Sequence, residues 1–483
     1  MSKYLPWTLI GVALLTSGFL YFAPVTLGAE ATAEDSYTIF VDNNALPPGD
    51  GTREKPYNDM HMALQAVADP LRDIREVQMT GTFIPVILDP ELHSGTPEQW
   101  LTFKGWEGRP TPEFVGTEVS SGFSTNGTDY LIFENMIFRD AQAPVGGIGL
   151  FINNSEYVHV NNITSTNNRE AGTCLSFSRH IIIENSNYSN NQGNGLLIPG
   201  VDDVIVRNSI FNENSIEGAY SAGISVNSSS NVQILNNEIA RNGHNGLRFS
   251  SGTGSHIYAN NRIFDNAENG MDIGEAPDVQ ILNNFIVGNH RNGINQQLYG
   301  TSNQQHFIGN VIANNQFVGL QLAVSSDNTV NVLNNTILQN GISGIDFTEQ
   351  NADLRFHNNI IAGHPTGVVI SRFSGDADIV SDFNNVYNNA ENLIYYRGPA
   401  RFGWEDWLMA GHDAHSRRID PLFSDEMTCA GETCIQFHLS PSSRLINAGK
   451  QLQGSLPPTD IDGDARYNRR VDYGADEYVA PEI

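Results

Sequence analysis

The sequence predicts an all-β protein in which short parallel strands wind into a β-helix of roughly 10 to 12 coils. Similar segments such as NVQILNNEIARNGHNGLRF, DVQILNNFIVGNHRNGINQ and NTVNVLNNTILQNGISGIDF recur at intervals of roughly 22 to 28 residues. Each copy holds about three short runs in which apolar and polar residues alternate, which is typical of strands. An Asn pair separates the first two runs, and a Gly opens the third.

Strands this short cannot bury an apolar face alone, so each copy must stack on the next one. A helical solenoid would need an apolar period of about 3.6 residues over ten or more residues, and the Gly and Asn spacing interrupts that period. A leucine-rich repeat would need leucines at fixed offsets, which the copies do not have. The repeats run from about Tyr130 to Asn389, and a parallel β-helix is the solenoid that fits them.

Each repeat carries two adjacent polar residues between its first two runs, for example Asn236 and Asn237. Asn tolerates left-handed backbone angles better than most residues do. Its side-chain amide can also bond to the Asn at the same place in the next coil. We therefore interpret the pair as a tight corner with a ladder of amides along the stack.

The N-terminus has the pattern of a signal peptide over residues 1–31. One Lys is followed by an apolar run and then by small residues around Gly28 to Ala33. Because the apolar run is long, an uncleaved membrane anchor is the alternative. We expect a secreted protein, either extracellular or periplasmic.

The composition is strongly acidic, with 26 basic and 54 acidic residues and a net charge of -28. This charge argues against nucleic acid as a partner and against direct adhesion to an anionic membrane. We expect a soluble monomer with no partner protein. In an exported chain, Cys429 and Cys434 predict a small disulfide loop. Cys174 is interpreted as a buried small residue at the Gly-equivalent start of a coil strand.

Segments on both sides of the repeats resemble a known family. FVDNNALPPGDGTREKPYNDMHMALQAV combines a strand, an Asp-Gly-Thr turn, a Pro-aromatic pair and a helical pattern, and LTFKGWEGRPTPEF follows it. Near the C-terminus lie WEDWLMAGHDAHSRRIDPLF, FHLSPSSRLINAG and TDIDGDARYNRRVDYGADEY. Together with the repeats, these segments resemble secreted right-handed parallel β-helix proteins of the pectate-lyase-like superfamily, with the closing module of many bacterial members.

The resemblance implies the domain organisation. Residues 36–105 would form an N-terminal helical cap and the start of the first coil, residues 106–389 the right-handed β-helix, and residues 390–483 a C-terminal closing module. Residues 460–464, DIDGD, look like the start of a calcium loop, but Ala465 and Val471 stand where an EF-hand needs Gly and Glu. The closing module therefore explains this segment better than a calcium loop does.

In this superfamily, ligands lie along the sheet whose strands begin at the Gly after the longer turn. In GLRF, Leu247 and Phe249 must point inward, so Arg248 points outward. The same rule predicts an outward strip of Ser176, Leu197, Ser225, Arg248, Asp272, Asn295, Gln321, Asp346 and Val369. The turns before this sheet add Arg241, His244, Asp265, Glu268, His290 and Arg291.

This patch suits chemistry on uronic acids, in which the C6 carboxylate is neutralised and a base removes the C5 proton. The predicted catalytic residues are His244, Arg248, His290 and Arg291. A histidine would act as base or acid, and an arginine would bind the carboxylate. The predicted substrate-binding residues are Asn295, Gln321 and Arg241. The predicted ligands of a calcium cofactor are Asp272, Glu268 and Glu275.

We therefore expect an exported protein that acts on or binds an acidic polysaccharide, with lyase or epimerase chemistry if it is an enzyme. NGMDIG matches the C5-epimerase signature only at its Gly and Asp. The sequence has no Lys between Lys104 and Lys450, so the base cannot be a lysine in the groove. A non-catalytic glycan-binding or scaffold protein is the first alternative. A glycoside hydrolase is the second, and it needs carboxyl groups about 5 to 9.5 Å apart. Arg248 beside Asp272 also fits an ordinary surface ion pair.

Overall fold

The chain winds into a parallel β-helix of about 12 coils, which confirms the predicted all-β fold class. Successive strands of each stack pair in parallel with the coil before and the coil after. Strand pairing begins at Thr38, within the segment predicted as the N-terminal cap. The predicted signal peptide lies outside the described residues. The computed structural model describes residues 37–215, 221–275, 277–298, 303–325, 328–349, 352–372, 378–452, 455–466 and 470–480.

Three stacks of strands form the walls of the coils. Sheet one holds Thr38–Asp42, Glu76–Thr80, Leu101–Gly105, Leu131–Arg139, Glu156–Thr166, Arg179–Glu184, Asp202–Arg207, Ser229–Leu235, Ser255–Ala259, Asp278–Leu282, Gln304–Ile308, Thr329–Leu333, Asp353–His357 and Ile379–Asp382. Sheet two holds Val86–Ile87, Phe123–Ser124, Ile148–Asn153, Ala171–Ser176, Asn194–Pro199, Ala222–Asn227, Asn245–Thr253, Met271–Glu275, Ile294–Leu298, Val318–Val324, Ser343–Glu349, Thr366–Arg372 and Glu391–Arg397, with Ala400–Phe402 antiparallel at its end. Sheet three holds Thr82–Phe83, Glu113–Val115, Ile210–Asn212, Glu238–Ala240, Arg262–Phe264, Phe285–Val287, Val311–Ala313, Thr336–Leu338, Ile360–Ala362 and Asn385–Tyr387.

The Asn pairs form the predicted corners and amide ladder. Asn236, the first of its pair, has a left-handed φ of 56° and makes the corner. Asn237, the second, is buried, and its Nδ2 donates to Asn261 Oδ1 of the next coil at 3.1 Å. The same bond repeats from coil to coil along what we call the pair ladder: Asn237, Asn261, Asn284, Asn310, Asn335, Asn359 and Asn384.

A second ladder, the turn ladder, follows the corner before sheet two, and a row of glycines lies against it. A Cβ built on Gly270 would lie 2.7 Å from the carbonyl oxygen of Gly293 and 2.9 Å from Asn289 Nδ2. Such contacts are too short for any side chain, which is why Gly opens these strands. The turn ladder consists of Asn168, Asn191, Asn214, Asn242, Asn266, Asn289, Asn315 and Asn340.

His364 continues the turn ladder where the other rungs have Asn. Its Nδ1 accepts the backbone N–H of Asn340 at 2.9 Å, and its Nε2 lies 3.0 Å from the Ile337 carbonyl oxygen. The neutral ring satisfies both contacts, one nitrogen as acceptor and the other as donor. Burial lowers the pKa of His364 to about 4. The imidazole therefore makes both of these hydrogen bonds only in its neutral form.

This rung predicts a specific sensitivity to acid. An unfolded His has a pKa of about 6.5, so the unfolded chain takes up the proton first as the pH falls, and stability is lost between about pH 6.5 and 4. Between about pH 7.5 and 5, we expect the free energy of unfolding to fall by about 2 kcal/mol more in the natural protein than in His364→Asn. Urea unfolding at both pH values measures this difference.

His256 is also buried with a pKa lowered to about 4, but it is common to both proteins and cancels in the comparison. His61→Asn is the control, because His61 is exposed and its ring contacts the amide of Gln65 and not an acidic side chain. If the natural protein and His364→Asn lose stability in parallel, the neutral His rung is not the source of acid sensitivity.

Three helices lie within the described ranges: Met60–Val67, Pro90–His93 and Trp404–Met409. Asp59 begins the first of them, because its Oδ1 accepts the backbone N–H of Met62 at 2.8 Å. This helix buries Ala63 and Ala66 in the same apolar core as the first strands of sheet one. Its role as the cap of the first coil stays a prediction.

The segment predicted as the closing module covers sheet three from Glu238–Ala240 onward and ends the pair ladder. Its hairpin, Thr428–Ala430 with Thr433–Ile435, carries a disulfide between Cys429 and Cys434, which confirms the predicted loop. Ala430 and Ile435 of the hairpin pack on the outer face of sheet three, and Phe437, two residues after the hairpin, lies against Phe285 there. The module therefore buries a face that the coils alone would leave exposed.

Candidate functional site

Sheet two presents one row of outward side chains, with neighbours on adjacent rungs. Strand pairing places Ser225 beside Arg248, Arg248 beside Asp272, and Asp272 beside Asn295. The row agrees with the predicted strip from Leu197 onward, but Cys174 and not Ser176 lies beside Leu197. We call its middle section the polar strip: Arg248, Asp272, Asn295, Gln321 and Asp346.

Hydrogen bonds hold four side chains of the polar strip, one bond within the strip and two to residues beside it. Asn295 Nδ2 donates to Asp272 Oδ1 at 2.7 Å. Gln321 Oε1 accepts from Asn292 Nδ2 at 2.8 Å, so Asn292 belongs to this surface although the sequence did not single it out. Burial raises the pKa of Asp346, whose side chain also bonds to Thr348. The strip is thus a half-buried polar surface whose groups already hold defined positions.

A second row runs beside the strip in the turns that precede sheet two. Backbone N–H groups of Glu268 and Arg291 donate to the carbonyl oxygens of His244 and Glu268, at 3.1 and 3.0 Å. Glu268 Oε1 lies 3.9 Å from His244 Nδ1 and 3.5 Å from Arg291 Nη2. The carboxylate of Glu268 therefore lies between the imidazole and the guanidinium. We call His244, Glu268 and Arg291 the turn triad.

Arg241 and His290 lie at a different corner, near the closing hairpin. Arg241 pairs with Glu213, with Nε to Oε1 at 3.2 Å, and its guanidinium lies over the ring of Phe264. Burial raises the pKa of Asp265, while the positive charges of Arg241 and His290 oppose that rise. A Cβ on Gly431 of the hairpin would collide with the Asp265 carboxylate. Roles for Arg241 and His290 in substrate binding or catalysis stay predictions.

The predicted calcium ligands do not gather. Glu268 belongs to the turn triad, and Glu275 is exposed at the end of its strand, opposite Ser251. Glu268, Asp272 and Glu275 do not bring their oxygens within 4.8 Å of one another. Within the described ranges, three possible ligand atoms do lie within 4.8 Å of one another in the closing module, on His438, Asp462 and Asp476. Sequence reasoning noted the DIDGD segment, but 24 positions separate His438 from Asp462, and no local motif links them.

Cys174 lies in the outward row, two residues after the Gly-equivalent position, which Gly172 occupies. It is buried with Phe151 and Leu197 in a small apolar cluster. Burial raises the pKa of its thiol to about 12, so the thiolate that a nucleophile needs is strongly disfavoured. The interpretation of Cys174 as a buried small residue is confirmed, whereas its predicted position was wrong by two residues.

Two family comparisons match parts of the chain. Residues 222–390 match the family described as right handed beta helix region. Residues 117–297 match the family described as periplasmic copper-binding protein (NosD). No curated protein matches the chain significantly in sequence. Within the described ranges, every helix is too short or too polar to cross a membrane.

Solved structures with the same architecture are similar over most of their length. XylC in complex with xylose is 10% identical with a TM-score of 0.50, covering 92% of this chain and 98% of XylC. The A-module of mannuronan C-5 epimerase AlgE4 from Azotobacter vinelandii is 14% identical with a TM-score of 0.48, covering 79% and 100%. Pectate lyase Pel9A is 16% identical with a TM-score of 0.42, covering 91% and 96%. At these identities the likeness concerns the fold alone.

Proposed function

We propose that this right-handed parallel β-helix protein of the pectate-lyase-like type is exported and binds an acidic polysaccharide along the polar strip. In this proposal the turn triad supplies lyase or epimerase chemistry. Two observations support it together: an extended row of polar side chains on sheet two, and a histidine beside a carboxylate in the turns four residues before that row in the same coils. The repeat of about 4.8 Å per rung suits an extended chain that crosses several coils.

Each side chain has a defined role in this proposal. Arg248 and Arg291 bind and neutralise the C6 carboxylate of a uronic acid residue, as guanidinium groups do in bidentate pairs. This neutralisation acidifies the C5 proton, and His244 removes it as the general base. In a lyase the C4–O bond then breaks as the C4–C5 double bond forms, and the departing oxygen takes a proton from the His244 imidazolium or from water. In an epimerase water returns a proton to C5 from the opposite face. Glu268 Oε1 lies 3.9 Å from His244 Nδ1 and stabilises the charged imidazolium once the proton has been transferred. Asn295 and Gln321 donate to sugar hydroxyl groups along the strip.

Proton NMR of the purified protein in heavy water tests the reaction, with alginate, pectate and a glucuronate-containing glycan as substrates. Loss of the H5 signal with a new olefinic proton identifies a lyase, and loss of H5 without chain cleavage identifies an epimerase. His244→Ala is expected to lower turnover about 10²- to 10⁴-fold, because general base catalysis contributes that factor. Spectra with calcium and with a chelator test the predicted cofactor at Asp272.

His61→Ala is the matched control, since His61 is exposed on the first helix and contacts Gln65. It is expected to leave turnover unchanged. Arg248→Ala is expected to raise the KM for every accepted polyuronate, because the strip loses its cation for the carboxylate. If His244→Ala keeps its turnover, His244 is not the base.

A binding protein without catalysis is the second candidate, and one observation favours it. Glu268 of the turn triad already pairs with both His244 and Arg291, as surface ion pairs do. If no substrate signal changes while the glycan still binds, this candidate replaces the catalytic one. Hydrolysis is disfavoured within the polar strip, because Asp272 and Asp346 lie three rungs apart, about 14 Å, beyond the separation that glycosidases use.

A further inference from the structure

Three side chains of the closing module converge at a place remote in sequence from the polar strip. His438 Nε2 lies 3.0 Å from Asp462 Oδ2, and one donor atom from each of His438, Asp462 and Asp476 lies within 4.8 Å of the other two. The imidazole is held by its neighbour Phe437, with ring centroids 4.0 Å apart. One nitrogen and two carboxylates therefore face one another from three separate segments of the chain.

The cluster is poorly satisfied by the protein itself. Asp476 is only 6% exposed, and its Oδ2 accepts a long hydrogen bond of 3.4 Å from the backbone N–H of Leu439. His438 Nδ1 is buried, with no hydrogen-bond partner within the described ranges. Buried polar atoms are nearly always paired, so the weakly bonded carboxylate of Asp476 points to a missing partner. Nδ1 of His438 points away from Nε2 and does not face the same ion, so Nε2 is the nitrogen that faces Asp462.

The local charge also favours a cation. Asp460 is buried nearby, and both Asp460 and Asp462 add to the negative potential at Asp476. A divalent ion would offset the repulsion among these carboxylates without burying more protein charge.

The spacing and the chemical types fit a metal. Two ligand atoms about 2.1 Å from one ion, at angles between 90° and 110°, lie roughly 3.0 to 3.4 Å apart. The His438 to Asp462 separation of 3.0 Å falls in this range. An imidazole among the ligands suits Zn²⁺ and similar ions, whereas Ca²⁺ takes six to eight oxygen ligands. The Asp462 side chain is 41% exposed, so an ion can enter from solvent.

We propose that His438, Asp462 and Asp476 form a site for a divalent transition metal, of which Zn²⁺ is the representative, with water completing the coordination. The ion joins the segments around residues 438, 462 and 476, which are adjacent in space and remote in sequence. It thereby holds the closing module together on sheet three. The site is structural and independent of the polar strip.

Calorimetric titration of the full mature chain, stripped with a chelator, tests the proposal with Zn²⁺ and with Ca²⁺. We expect about one Zn²⁺ per chain, a higher midpoint of thermal unfolding with Zn²⁺, and little response to Ca²⁺. Both His438→Gln and Asp462→Asn are expected to weaken Zn²⁺ binding at least about tenfold. Asp462 is partly exposed, so Asp462→Asn keeps the test valid if His438→Gln does not fold.

His415→Gln is the matched control, because His415 pairs with Asp382 at 2.7 Å on the surface of the same module. It is expected to bind Zn²⁺ as the natural protein does. The absence of both heat and a shift in the unfolding midpoint would overturn the proposal. Equal Zn²⁺ affinity in the natural protein, His438→Gln and Asp462→Asn would overturn it as well.

Discussion

Asp413→Ala is expected to destabilise the protein by about 3 to 5 kcal/mol, because one buried carboxylate accepts from several donors at the end of the pair ladder. Asp413 is 3% exposed. It accepts from Ser381 Oγ at 2.6 Å, from Trp407 Nε1 at 2.6 Å, from Asn384 Nδ2 at 3.0 Å and from Ser416 Oγ. The substitution leaves these buried donors without an acceptor. The backbone φ of Asp413 is 51°, and this left-handed angle adds a small free-energy cost when Ala replaces Asp.

Urea unfolding followed by tryptophan fluorescence measures the effect, since Trp407 belongs to the same network. Asp425→Ala, an exposed acid of the same module, is expected to change stability by less than about 0.5 kcal/mol. Asp413→Asn is expected to fall between the two, because its amide keeps one acceptor oxygen and tolerates the left-handed backbone. A loss in Asp413→Ala no larger than in Asp425→Ala would show that the carboxylate does not hold the end of the ladder.

Arg466→Met is expected to cost about 3 to 5 kcal/mol, because Arg466 is a cation buried among acidic side chains. The residue is 1% exposed. Its Nη1 lies 3.3 Å from Glu477 Oε1, and its Nη2 donates to the Ala475 carbonyl oxygen at 2.8 Å. Its positive charge also opposes the rise in pKa of the buried Asp460 and Asp472. Met fills a similar volume, so the loss measures charge and hydrogen bonds more than a cavity.

Arg418→Met provides the comparison for Arg466→Met. Arg418 pairs with Glu405 at 3.4 Å, and both side chains are exposed, so a change under about 1 kcal/mol is expected. The readout is the urea midpoint at neutral pH, together with limited proteolysis of the closing module. If the two substitutions cost the same, the buried charge cluster does not depend on its Arg.

Much of the fold could be predicted because the coils repeat their chemistry. The Asn pair and the opening Gly recur in sequence, and each keeps the same structural role from coil to coil. Asn236 makes a corner, Asn237 bonds to the next coil, and Gly270 leaves room for the turn ladder. Alternation then fixed which residues of GLRF face outward. His364 shows the limit of this reasoning, since its equivalence to an Asn rung follows from hydrogen bonds that the sequence pattern does not encode.

The candidate site was harder to predict because turns obey no alternation. The strand row from Arg248 to Asp346 follows from register, so the sequence placed it correctly. Arg291 and His290 are adjacent in sequence, yet Arg291 forms an ion pair with Glu268, whereas His290 interacts electrostatically with Asp265. The closing module has no repeat at all, and His438 meets Asp462 only through tertiary packing.

The pair ladder has a direction as well as a length. Each Asn donates one amide N–H to the Oδ1 of the next coil, and its own Oδ1 accepts from the coil before, so the amide C=O groups point the same way along the axis. Aligned dipoles polarise one another and leave a partial positive charge at the end from which the last N–H emerges. That end is Asn384, and the group that meets it is the carboxylate of Asp413. The β-helix thus carries a line of aligned amide dipoles along its axis, terminated by a fixed negative charge.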